Sequence, residues 1–248
     1  MIVAIPSKGR PTGVKSARIL RSAFVFVPAY EEKAYQAAGV ANVVPVPKEV
    51  RGITRTRNWI LDWAKDRDDG ARVVMIDDDV KVQGWVELRA TSSKNRTMTE
   101  SEWVREWTVL FDVTEQMGFR IWGTATQNAP RAIYPWKPIL ERSYITASCM
   151  GMLNPADGSG IRFDERFPVK EDYEMGLRCI KEDGGVLAAR YVHWSNSHWK
   201  DAGGCADYRT QGMELEAIRR LRRMYPGMIR RVTRGGSEYS IDLDFPTS

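Results

Sequence analysis

Four short apolar runs, each separated from the next by a helical stretch, constrain this chain more than any other feature. "IVAIP" (2–6), "FVFVP" (24–28), "NVVPVP" (42–47) and "RVVMI" (72–76) have the length and composition of buried strands. Between them lie a helical stretch at about 14–22, then "AYEEKAYQAAG" closed by Gly39, then "TRTRNWILDWAKDRDDG". The last predicts a helix with Trp59 and Trp63 on one face and Thr54 or Thr56 as its cap. Strands alternating with helices predict an α/β fold, a mostly parallel sheet flanked by helices on both faces. Ligands of such sheets gather at the carboxyl ends of the strands. Ser7-Lys8-Gly9-Arg10 after the first strand and Asp77-Asp78-Asp79 after the fourth would share that rim.

Beyond the fourth strand, residues 85–98 are polar and lack period, which predicts a loop. Thr99-x-x-Glu102 is a capping box, and behind it Trp103, Trp107, Leu110, Phe111 and Thr114 recur at helical spacing up to Gly118. That stripe reads as core. "FRIWGTAT", "YITASCMGML" and "VLAARYVHW" read as strands, and "KEDYEMGLRCIKEDGG" as a helix ending at Gly184. The Pro-broken aromatic segment 128–138 is expected to be a mobile loop. From about residue 206 a basic helix precedes a β-prone tail. The expected organisation is one domain over 1–205, with 206–248 a basic extension packed on it.

Composition narrows the class. Cys149, Cys179 and Cys205 are widely spaced without a CxxC pair, which argues against a disulfide framework or structural zinc site and fits a reducing cytoplasm. "MIVAIPSKGRP" is interrupted too soon for a signal peptide, and no apolar run approaches membrane-spanning length. The formal net charge of +5 points to a polyanionic partner only where it clusters. It does cluster in residues 217–236, which carry seven arginines and no acid. Arg219, Arg222 and Arg223 fall at i, i+3 and i+4, one helix face, with Leu215, Ile218 and Leu221 free to pack beneath.

The chemistry concentrates in two acidic stretches. In "VVMIDDDV" (73–80) four apolar residues run into three adjacent aspartates, which read either as a solvated acidic turn closing a strand or as a site where a cation relieves their mutual repulsion. Hard carboxylate oxygens suit Mg²⁺ or Mn²⁺ held together with substrate phosphates. On a strand, Asp77 and Asp79 would point to the same side. In "FDERFPVKEDYEMGLR" (163–178), Glu171-Asp172 opens a helix, where the helix dipole alone would favour acids.

Together "IPSKGRP", "GITRTRN", the strand ending in "DDD", "FDE…KED" and a late histidine resemble, in their order over residues 2 to about 205, a glycosyltransferase of the GT-A fold. The narrower likeness is to phage glycosyltransferases encoded beside TET/JBP-type dioxygenases, thought to modify hydroxymethylated cytosine in DNA. The resemblance implies a nucleotide-sugar donor, uridine diphosphate by family default, and a Mn²⁺ or Mg²⁺ cofactor. It implies that Asp77 and Asp79 serve as the DxD pair, with Asp78 leaving open which two acids bind directly. Pro6, Ser7, Arg10, Arg55, Arg57, Asn58, Asp77 and Asp78 would line the donor. Asp172 would be the general base and Glu171 would orient sugar or acceptor. His198, or alternatively His193, would be a further metal ligand, and Gly203-Gly204 would admit a phosphate. One base without a second nucleophile implies inversion, and Arg219, Arg222 and Arg223 would meet DNA. Two readings compete with this one: a GT-A transferase acting on a glycan or lipid, and a catalytically idle nucleic-acid-binding module.

Overall fold

A computed structural model of the chain describes residues 1–67, 70–88, 93–126, 138–196, 209–231 and 241–243. Residues 128–137 of the expected loop 128–138, His198, Gly203-Gly204 and Cys205 lie outside the described residues.

The chain opens with β1 (Ile2–Pro6), α1 (Lys15–Ile19), β2 (Phe24–Pro28), α2 (Glu32–Ala37), β3 (Val43–Val46), α3 (Ile53–Lys65) and β4 (Arg72–Ile76). It continues with β5 (Val80–Leu88), β6 (Ser93–Thr97), α4 (Glu100–Gln116), β7 (Ile121–Thr126), β8 (Ile139–Leu140), β9 (Cys149–Leu153), α5 (Glu171–Glu182) and β10 (Leu187–Asn196). Last come α6 (Gln211–Met224), β11 (Ile229–Arg231) and β12 (Ile241–Leu243). Ten strands form one sheet in the order β3-β2-β1-β4-β9-β7-β10-β5-β6, with β8 beside β10. The β3-β2-β1-β4 portion is parallel throughout, as is the β7–β10 pair. Antiparallel β9 joins the two parallel portions by pairing with both β4 and β7.

Successive residues of β1 face opposite ways, and this splits the core. Val3 and Ile5 pack with Trp103, Trp107, Leu110 and Phe111 of α4, whereas Ile2 and Ala4 pack with Ile60, Leu61 and Ala64 of α3 and Met175 and Cys179 of α5. The predicted capping box is present: Thr99 accepts from the Glu102 N–H while the Glu102 carboxylate accepts from the Thr99 N–H. Cys149 and Cys179 are buried and unbridged.

Three expectations are corrected. Residues 85–98 are not a loop, because β5 and β6 form a hairpin that extends the sheet from β10. Neither Thr54 nor Thr56 caps α3. Gly52 holds the cap position without a side-chain bond, Thr54 donates to the Phe167 carbonyl and Thr56 to the Gly52 carbonyl. The strand expected from 144 begins only at Cys149.

Helix α6 docks on α5. Ala217, Ile218 and Leu221 pack against Phe167, Val169 and Leu177. Lys170, in the left-handed conformation just before α5, pairs with buried Glu214 at 2.9 Å, and the Tyr225 hydroxyl donates to Glu174 at 2.9 Å.

Candidate functional site

The carboxyl end of β4 is a turn, not a continued strand. The Val80 N–H reaches back to the Asp77 carbonyl at 3.3 Å, so the two-residue alternation stops at Ile76 and the three aspartates diverge. This corrects the expectation that Asp77 and Asp79 share a strand face. Asp78 turns inward and is buried. Its carboxylate accepts from the Ser7 hydroxyl at 2.6 Å and from Arg10 at 2.8 Å. Ser7 also meets the Tyr35 hydroxyl at 2.9 Å, and the Arg10 N–H donates to that hydroxyl at 3.0 Å. Gly9, with φ 71°, turns the chain so that its N–H donates to Glu31. The first and fourth strands therefore share a rim, as expected, and Asp78 is what stitches them. Its backbone carbonyl also receives the N–H groups of Lys15 and Ser16, and the Ser16 hydroxyl bonds the Asp77 carbonyl.

Burial pushes the Asp78 carboxyl up to about 6, with the Ser7 and Arg10 bonds opposing and the Asp77 charge adding. Because the folded group holds its proton more tightly than the unfolded one, its stabilising contribution is full below about pH 4 and is lost as pH rises through about 6. Asp78→Asn cannot titrate. Measured by denaturant midpoint across that window, its stability should gain on wild type as pH rises; a pH-independent gap would contradict the assignment.

Asp77 stays at the surface, its side chain 29% exposed. One carboxylate oxygen accepts from the Ser148 hydroxyl at 2.6 Å and the other from Arg57 at 3.2 Å. The Arg57 side chain is only 4% exposed, and the other arm of its fork bonds buried Glu171 at the start of α5. Arg57 thus bridges acids 94 positions apart in sequence, on β4's rim and on α5. Burial pushes the Glu171 carboxyl above the ordinary range, Arg57 pulls it back, and Asp172 and Asp77 raise it further.

Asp172 is half-buried beside Glu171. One oxygen accepts from the Tyr144 hydroxyl at 2.5 Å and the Ala147 N–H at 3.4 Å, the other from the Tyr173 N–H at 2.9 Å. A carboxylate offers roughly four acceptor positions. Three are in use, which leaves room for one more proton donor.

The "TRTRN" residues, for which the resemblance implies a donor-lining role, divide their bonds between the Asp77 rim and the 163–171 segment. Asn58 uses both ends of its amide on Phe163, accepting from its N–H at 2.8 Å and donating to its carbonyl at 2.9 Å. Arg55 pairs with Glu165 at 3.0 Å, and Thr54 holds Phe167 at 2.7 Å. These residues line the first turns of α3 and bind the 163–171 segment to it, while Arg57 also reaches Asp77 on the rim. Tyr35, Ser148 and Tyr144 were not singled out by the sequence, since each lies in an ordinary helix or loop context.

Two carboxylates with hard oxygens, Asp77 and Asp79, both partly exposed at the rim, have the donor chemistry that suits a divalent cation shared with phosphates. Among the described residues no group of three His, Cys, Asp or Glu side chains is assembled to hold a metal by itself. His193 is 2% exposed in β10 opposite Gly84, with neither ring nitrogen hydrogen-bonded, and burial lowers its pKa.

The parallel β3-β2-β1-β4 portion thus carries carboxylates at its rim, faced by acids that open a later helix. The chain belongs to the TET-Associated Glycosyltransferase family, whose profile matches residues 1–204. No curated protein matches it. Among solved structures it is similar to S. aureus TarS 1–349, at 10% identity over 78% of this chain and 60% of that one, TM-score 0.46. It is also similar to CMP:2-keto-3-deoxy-manno-octonic acid synthetase complexed with CTP, at 10% identity over 90% of this chain and 98% of that one, TM-score 0.43. A third similarity is to galactosyltransferase LgtC in complex with donor and acceptor sugar analogs, at 12% identity over 76% and 73%, TM-score 0.38. The chain spans 60% of TarS 1–349 and 36% of a longer TarS structure.

Proposed function

We propose that this glycosyltransferase moves a sugar from a nucleotide-sugar donor, a uridine diphosphate sugar, to the hydroxyl of 5-hydroxymethylcytosine in DNA. Transfer inverts the anomeric carbon and uses Mn²⁺ or Mg²⁺. The observation that carries the reading is the Asp77–Arg57–Glu171 link, which joins a rim suited to a nucleotide diphosphate to a second carboxylate pair suited to an acceptor.

On this reading Asp77 and Asp79 hold the cation, with His198 as a further ligand, and Ser7 and Arg10 fix the rim through Asp78. When bound, such a cation supplies neutralisation of the charge developing on the leaving diphosphate. The acceptor oxygen forms its bond to the anomeric carbon as the bond from that carbon to the diphosphate breaks. Asp172 takes the acceptor proton through its remaining lone pair, and Glu171, held by Arg57, orients the sugar or acceptor. DNA meets α6, where Arg219, Arg222 and Arg223 are exposed and, among the described residues, Glu216 lies 3.6 Å from Arg219 and from Arg223. Planar guanidinium forks suit phosphate oxygens.

The test is metal dependence. Excess chelator should abolish transfer and added Mn²⁺ or Mg²⁺ should restore it. Asp79→Ala should lose most activity while unfolding at the wild-type temperature, because a half-exposed acid adds little packing. Full transfer in excess chelator would sink the metal assignment.

A further inference from the structure

We propose that the exposed ring of Tyr144 is a stacking platform for the acceptor nucleobase; this rests on the reading of Asp172 as the base and of hydroxymethylated DNA as the acceptor. Tyr144 is one of the exposed large hydrophobic side chains among the described residues, at 37% exposure. It is nevertheless fixed. One face stacks on Tyr173, with ring centroids 4.0 Å apart and planes 20° from parallel. Its hydroxyl, at the ring edge, donates to Asp172 at 2.5 Å. Tyr173 is backed by the Lys170 ammonium 5.1 Å from its centroid, and Lys170 is itself anchored by Glu214.

A flat apolar ring held on one face and at its edge, in a residue 37% exposed as a whole, is suited to a planar partner. An enzyme acting on a base in DNA must take that base out of its stack, and an aromatic side chain replaces the stacking that is lost. Geometry adds a second reason. The carbon of a hydroxymethyl substituent lies in the plane of its base and projects from the base edge. A base laid over Tyr144, roughly parallel to it, can direct that substituent toward the carboxylate that the tyrosine's own in-plane hydroxyl already reaches. The platform and the base would then be in register, with Asp172's remaining acceptor position facing the incoming hydroxyl.

Ring and hydroxyl are separable. With a single-stranded oligonucleotide containing 5-hydroxymethylcytosine as acceptor, Tyr144→Ala should raise the acceptor KM by about tenfold, the loss expected for one base–aromatic stack. Tyr144→Phe keeps the ring and should keep the acceptor KM, any loss appearing in kcat. Tyr144→Leu, apolar but not planar, should behave as Tyr144→Ala and serves in its place should the alanine variant unfold. Wild-type acceptor KM in the alanine and leucine variants, or a rise in the phenylalanine variant equal to theirs, would overturn the platform. If wild type transfers sugar to the oligonucleotide and the variants bind it equally well, the platform alone fails. If wild type transfers nothing to any hydroxymethylated DNA, the functional reading fails and takes the platform with it.

Discussion

Asp172→Asn is expected to lower kcat by about 10²–10⁴-fold, the range for removing a general base, while donor affinity measured by calorimetry stays near wild type. Asparagine preserves size, and its amide oxygen can still accept from the Tyr144 hydroxyl and the Ala147 N–H that Asp172 now binds. What it lacks is the ability to take a proton. The groups assigned to the donor, Ser7, Arg10, Asp77 and Asp79, are on the β1–β4 rim, whereas Asp172 is in the first turn of α5. Equal loss of donor affinity and turnover would instead make Asp172 a structural acid of the helix start.

Arg57→Met is expected to be the most damaging single substitution for stability, at about 3–5 kcal/mol, the cost of breaking a buried ion pair by removing one partner. The guanidinium lies between two carboxylates, and Glu171 is itself buried. Without Arg57, Glu171 would keep its burial and its acidic neighbours Asp172 and Asp77 but lose the strongest of the influences that lower its proton affinity. Activity should fall with stability, because the two acidic stretches lose their common strut. Adding Glu171→Gln to Arg57→Met removes the uncompensated charge, so the double variant should recover much of the stability and none of the activity. Denaturant unfolding of the single and double variants checks this. An Arg57→Met protein as stable as wild type would show that the buried pair contributes nothing.

The sequence was most legible where burial dictates residue type. β1, β2 and β4 are apolar along their length because both faces of a parallel sheet are covered, and their bounds coincide with the apolar runs. The capping box and the α4 stripe were readable because both are local patterns. The β5–β6 hairpin was not, since β5 owes its place to pairing with β10, more than a hundred residues away, and β6 is polar throughout. The acidic residues of the site were visible as types, but their directions were not. A single turn bond at Asp77–Val80 sends Asp78 inward to Ser7 and Arg10, and no periodicity encodes that. Asn58 near the start of α3 suggested a ligand contact and Thr54 a cap, yet they answer to Phe163 and Phe167, 105 and 113 positions away. Only the packed chain shows that these two motifs form one bracket around Arg57.

Sugar transfer from a nucleotide donor onto hydroxymethylated DNA leaves its mark on the modified nucleoside itself. The most direct test incubates the protein and Mn²⁺ with a panel of sugar nucleotides and DNA containing 5-hydroxymethylcytosine, digests the DNA to nucleosides and weighs them by mass spectrometry. With at least one donor, the hydroxymethylated nucleoside should gain the mass of one sugar residue, and Asp172→Asn protein under the same conditions should yield far less. An unchanged nucleoside mass with every donor, while the protein glycosylates a glycan or lipid acceptor, would contradict transfer to DNA.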